Sequence, residues 1–184
     1  MTTLIAPLIA PSLTSPTEGG GLFDLVGGLP VHPLIVHVAV VVLPVAAIAL
    51  IIVMALPRVH MLVRWGVVAA LAVGSLAAWI AAESGESLSE RVGEPEVHQE
   101  LGENLPVIAG ITLALAVVWA VISELSARAS RVAAATGAMP SRAWLPMRIA
   151  ISVITAGMAV YAIYYTVLVG HSGAVATWLD SVGG

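Results

Sequence analysis

The run Pro33–Leu56, PLIVHVAVVVLPVAAIALIIVMAL, decides the fold class. It carries no Asp, Glu, Lys or Arg, and its one ionisable group is His37. At about 1.5 Å per residue, such a run coiled as a helix crosses a hydrocarbon core of about 30 Å. Runs of the same kind recur at Met61–Ala82, Leu105–Ser123 and Leu145–Val169. Backbone polar groups in lipid must be satisfied within their own segment, so each run is expected to be a transmembrane helix. No alternating ten-residue pattern of the outer-membrane barrel type is present. The expected architecture is all-α: a four-transmembrane-helix bundle over residues 31–184, preceded by a tail over residues 1–30.

Composition points the same way. Of 184 residues, 59% are hydrophobic and 10% charged, against about 25% charged in an average soluble domain. Cysteine is absent, which removes disulfides, iron–sulfur clusters and thiolate chemistry. All seven basic residues are arginine, so there is no phosphate-loop lysine and no Schiff base. A net charge of -4 without a basic stripe sets nucleic acid aside. No nucleophile–base pair, phosphate loop or carboxylate dyad occurs, so a stand-alone enzyme is not expected. A solute transporter is disfavoured too, because the spans lack charges at the membrane midplane.

Arginine placement sets the expected orientation. Arg58 and Arg64 flank the first connection, and Arg128, Arg131, Arg142 and Arg148 lie in or beside the third. The second holds Arg91 alone among seven glutamates from Glu83 to Glu103. The positive-inside rule then puts connections one and three in the cytoplasm, with both termini extracytoplasmic, in a bacterial plasma membrane. Ten acids against Arg91 leave the outer side at -9, and six arginines against Glu124 leave the inner side at +5.

Several finer expectations follow from this map. The first residues, MTTLIAPLIAPSLTSPTEGGG, lack a positive n-region and are broken by prolines. They make a poor signal peptide and too short a span, and read as a translocated tail that can rest on a neighbouring subunit. Pro33 and Pro106 fall in the first turns of their spans, and Pro44 kinks the first. Trp65, Trp119 and Trp144 belong to an inner aromatic belt, Trp79 and Trp178 to an outer one. Gly66, Gly74, Ser75, Gly110 and Gly157 are small enough to let helices approach. Tyr161, Tyr164 and Tyr165 make a stripe suited to packing. No internal repeat is visible.

Five histidines are present: His32, His37, His60, His98 and His171. His60 reads as a solvated loop residue. The other four map to the outer side from segments far apart in sequence. Each has a plain reading as an interfacial hydrogen-bonding group. His37 lies a turn inside a span, where an ionisable group without a partner is costly, and is a functional candidate by default. As a set, His32, His37, His98 and His171 are candidate ligands of a transition metal, since imidazole suits zinc, copper and iron. Copper(I) is disfavoured by the lack of cysteine and of methionine near the outer face. Haem b held by axial His37 and His171 is the other candidate cofactor. Gly170 and Gly173 can admit a flat macrocycle, although a helix C-terminal cap explains them better. The glutamates over residues 83–103 are a solvated surface or a docking site for a basic extracytoplasmic protein.

The segments Gly28-Leu29-Pro30-Val31-His32-Pro33-Leu34-Ile35-Val36-His37, His98-Gln99-Glu100-Leu101-Gly102 and Gly170-His171-Ser172-Gly173-Ala174 resemble the three histidine motifs of the DUF2231 family of predicted bacterial membrane proteins. The likeness runs from about Gly28 to Trp178. It implies a four-helix membrane protein with histidines on one face. Some members look joined to cytochrome-like domains, which implies redox or respiratory surroundings. The leading expectation is a small accessory subunit of a larger respiratory membrane complex, bound to lipid and to other subunits. The alternative is a membrane electron-transfer protein that binds haem b or a metal.

Overall fold

The computed structural model describes residues 25–26, 29–56, 59–92, 96–139 and 143–182. Of the tail expected over residues 1–30, residues 1–24, 27 and 28 lie outside the described residues, as do Arg58, Glu94 and Arg142. Just before the first helix, β1 (Leu25–Val26) pairs antiparallel with β2 (Leu29–Pro30), Leu25 opposite Pro30 and Val26 opposite Leu29. Four helices follow: α1 (Val31–Ala55), α2 (Met61–Val92), α3 (Glu96–Thr136) and α4 (Trp144–Val182). All four are long and apolar enough to cross a membrane. Each packs against its neighbours in the chain, and α1 also packs against α4, so the bundle closes into a ring.

The interior is built largely from alanine. Ala47, Ala109, Ala116, Ala120, Ala159 and Ala162 are fully buried, with Leu43, Leu50 and Leu71 filling the wider gaps. Lipid gives no hydrophobic drive between helices, so small residues that bring backbones together carry the association. Gly74 is the closest approach: a Cβ there would lie 2.9 Å from the Leu43 Cα on α1. Ser75 ties α2 to α3 by donating to the Ala109 carbonyl at 3.2 Å. Gly66, Gly110 and Gly157, read as packing positions from the sequence, meet nothing within 4 Å. The outward faces are apolar: Val41, Val45 and Ile52 on α1 and Val153 and Val167 on α4 are more than half exposed. Apolar surface turned outward along the spans belongs in a bilayer, and the chain is a multi-pass membrane protein in character.

The helices overrun the expected spans. α3 has 41 residues, which at about 1.5 Å each is twice the depth of a hydrocarbon core. The acidic connection is therefore mostly helix, shared between the end of α2 and the start of α3. Hydropathy marks only the lipid-embedded part, and Glu, Ser, Leu and Gln continue a helix into water at little cost. Pro106 consequently lies well inside α3 rather than in its first turn. Gly170 and Gly173 lie inside α4 and cap nothing.

The ends of the helices are chemically defined. His60 is the N-cap of α2, its Nδ1 accepting from the Leu62 N–H at 3.3 Å. α3 ends at Gly137, whose φ of 68° lies in the left-handed region, with the Ala138 N–H bonded to the Ala133 carbonyl at 3.0 Å. Trp119 is buried rather than part of a belt, and the Arg64 guanidinium sits 5.8 Å from its ring centroid. Arg64 on α2 pairs with Glu124 on α3 at 3.2 Å, and both side chains are largely shielded.

Candidate functional site

α1 and α3 begin at the end of the bundle where α2 and α4 finish, and a cavity of about 620 Å³ lies between them there. Three of the five histidines line it: His32 and His37 from α1 and His98 from α3. Glu86, Glu103 and Trp178 stand among the other wall residues, and most of the lining is apolar. His171, grouped with these histidines from the sequence, is exposed and does not line the cavity. Its neighbours Gly170 and Gly173 do. The pair His37 and His171 thus does not share this space. Among the described residues, no group of three or more His, Asp or Glu is arranged to hold a metal ion.

The cavity imidazoles are held in a common way. His32 Nδ1 lies 2.8 Å from the Ala81 carbonyl on α2. A carbonyl can only accept, so Nδ1 carries a proton, and in the neutral ring Nε2 holds the lone pair. His37 Nδ1 donates in the same manner to the Pro33 carbonyl one turn earlier. His98 Nδ1 lies 2.9 Å from Ser172 Oγ on α4. That hydroxyl spends its own proton on the Val169 carbonyl at 2.8 Å, so it accepts from the imidazole. All three rings therefore present a lone pair at Nε2, and none of these Nε2 atoms is hydrogen-bonded among the described residues. This is the tautomer that a metal-ligating histidine requires, with its other nitrogen fixed by an outer partner.

Two of the three rings rest on similar Ser-Gly seats. His32 lies over Ser84-Gly85 of α2, and Ser84 Oγ donates to the carbonyl three residues back, Ala81, at 3.1 Å. His98 lies over Ser172-Gly173 of α4, and Ser172 Oγ donates three residues back to Val169. A Cβ on Gly85 would come within 3.0 Å of His32 Cε1, and one on Gly173 within 2.9 Å of His98 Cε1. Each seat thus needs glycine for room, while Nδ1 is held by the Ala81 carbonyl at His32 and by the Ser172 hydroxyl at His98. A two-fold likeness between α1–α2 and α3–α4 follows, where the linear sequence had suggested no repeat. The linear signals are two short pairs, Ser-Gly in Glu83-Ser84-Gly85-Glu86 and His171-Ser172-Gly173-Ala174, and Val-His in Val31-His32 and Val97-His98.

Gly102 and Gly170 line the same cavity for a different reason. Neither has any atom within 4 Å of where a Cβ would be. Glycine inside a helix costs about 1 kcal/mol relative to alanine, and no helix contact offsets that here. What the two positions provide is bare backbone on the cavity wall. The internal prolines add polarity. Pro44 and Pro106 have no N–H to return to the carbonyls four residues back, those of Val40 and Gly102, and both residues line the cavity.

An apolar, glycine-walled cavity lined by imidazoles suits a flat apolar ligand that carries a Lewis-acidic centre. Comparison of the chain with known protein families, with curated proteins and with solved structures finds no match.

Proposed function

We propose that this protein is a membrane electron-transfer protein that binds haem b in the cavity at its histidine end. The observation that carries the reading is the shared tautomer of His32, His37 and His98, each lining one apolar cavity with Nδ1 engaged and Nε2 without a partner among the described residues. The donor set favours a porphyrin over a bare metal ion. A porphyrin supplies four nitrogens of its own and asks the protein for one or two axial imidazoles. A structural or catalytic ion asks for three or four protein ligands, and no such group exists among the described residues. The volume of about 620 Å³ is within the range of cofactor pockets. His98 from α3, with His37 or His32 from α1, would hold the iron, replacing the pair His37 and His171 expected from sequence. Bound haem supplies a one-electron couple. The chain's own part is to orient the imidazoles through Ala81, Pro33 and Ser172 and to keep the ring in an apolar wall.

The same proposal takes in the DUF2231 resemblance, a bacterial plasma membrane, and an orientation with the histidine end and both termini outside, which rests on the arginine distribution. The test is the absorbance of protein purified from membranes in mild detergent. A Soret band is expected in the parent, lost in His98→Ala and kept in His171→Ala. A parent protein without the band, after growth with sufficient haem, overturns the reading.

Membership of a larger respiratory assembly is the second reading. It is favoured by Leu125 and Val132, 44% and 63% exposed on the arginine-rich last turns of α3. Apolar side chains on a charged extension suit a protein partner. Blue-native electrophoresis in mild detergent would then place the chain well above 18.8 kDa together with other polypeptides, and migration alone overturns it.

A further inference from the structure

The opposite end of the bundle holds a second cavity, of about 320 Å³, with the reverse chemistry. Arg64, Arg148, Ser123 and Ser152 form its polar wall, and Met54, Ile149 and Val153 are among its apolar residues. Arg64 is deeply set. One terminal nitrogen bonds Glu124 at 3.2 Å and the other lies 3.5 Å from the Val59 carbonyl. Its Nε–H is buried with no acceptor among the described residues. An unmade hydrogen bond at a buried donor is costly, and more so at a charged group. Glu124 cannot neutralise this end alone, because it is shared with Arg128 at 3.4 Å and Arg131 at 3.1 Å. Arg148 adds a further charge; its described partner is Ser126 Oγ at 3.5 Å, and it has no carboxylate partner among the described residues.

We propose that this cavity binds the phosphate of an anionic phospholipid headgroup. Guanidinium groups meet phosphate oxygens through paired, charge-assisted hydrogen bonds, and the serine hydroxyls can donate to the remaining oxygens. The apolar half of the cavity says what the phosphate is attached to. It continues onto Leu56, Leu145, Ile149 and Val153, which are 52%, 52%, 55% and 65% exposed on the outer faces of the bundle. Acyl chains leaving the headgroup would lie along that surface. A free oxyanion would use the arginines and leave the apolar wall bare. Basic pockets between membrane helices are a common way to hold anionic lipid. The inference stands apart from the haem reading, since it concerns the other end of the molecule.

Native mass spectrometry of the full chain in mild detergent tests it, with phosphatidylglycerol and phosphatidylcholine of the same acyl chains supplied in equal amounts. One phosphatidylglycerol should be retained in preference to phosphatidylcholine. Arg148→Gln, a change at an exposed residue with no ion pair among the described residues, should weaken that retention about tenfold. Ser152→Ala should weaken it less, and decides the matter if the arginine variant does not fold. Equal retention of the two lipids, or retention unchanged in the variants, overturns the proposal. Inorganic phosphate at millimolar concentration separates the two sources of the anion. If it displaces phosphatidylglycerol as readily as excess lipid does, the site takes a free oxyanion and the lipid assignment fails.

Discussion

Gly170 and Gly173, three residues apart on α4, have opposite reasons for lacking a side chain, and substitution should separate them. Gly170→Ala meets open space in a helical backbone, so it should raise stability by about 0.5–1 kcal/mol through helix propensity. Gly173→Ala drives a methyl to 2.9 Å from His98 Cε1; crowding of that kind costs about 1–3 kcal/mol. Thermal unfolding of the two variants in one detergent should show midpoints on either side of the parent. The serines differ in the same measurable way. Ser172→Ala removes the one described acceptor of the His98 Nδ1–H, which leaves a part-buried donor unpaired at about 1–3 kcal/mol. Ser84→Ala should cost less, because His32 keeps its 2.8 Å bond to the Ala81 carbonyl. Equal losses in the two serine variants would show that the carbonyl bond is not what holds His32. None of this was legible in the linear sequence. Ser-Gly is too common a pair to notice until two histidines are found resting on it. His32, His37 and His98 were legible as candidates because polar groups beside apolar runs are rare. The exclusion of His171 was not, since one residue of helix rotation, about 100°, separates a cavity wall from the outside.

The four helices were legible as elements and their ends were not. Apolar length reports what lies in lipid, and it is silent on how far a helix continues into water. This is why α2, α3 and α4 outrun the spans read from hydropathy, and why Pro106 moved from a first turn to a helix interior. Where an end is sharp, local chemistry makes it so. Gly137 at the end of α3 takes a φ of 68° that a Cβ disfavours. Gly137→Ala should cost about 1 kcal/mol. Amide exchange resolved along the chain should show faster exchange in the last turns of α3, with the lipid-embedded part unchanged. Protection unaltered at Ala138 would mean that the terminal turn does not depend on the left-handed residue. His60 belongs to the same class of feature, since an imidazole that caps a helix has the sequence appearance of a loop residue.

At the scale of the molecule, the arginine and histidine ends carry different cavities, and their placement across the bilayer is open to direct measurement. An enzyme reporter active only in the cytoplasm should work when fused after Arg131 and fail when fused after Gly184. The reverse pattern would put the histidine cavity on the cytoplasmic side and remove the extracytoplasmic setting of the proposed haem. The number of helices and their up-and-down order were legible because both follow from hydropathy and the shortness of the connections. The cavities were not, because a void is a property of side chains that different helices bring together. The matched histidine seats on the α1–α2 and α3–α4 hairpins have a consequence for how the molecule can be taken apart. Each hairpin is a pair of apolar helices able to insert without the other, since membrane helices form first and associate afterwards. Each also holds one complete seat, histidine and Ser-Gly together, within itself. A gene cut between α2 and α3 should therefore yield two fragments that insert separately and find each other in the membrane. Tagged on one fragment and co-expressed, they should be recovered as a pair, rebuilding across the severed joint a cavity that neither fragment encloses alone.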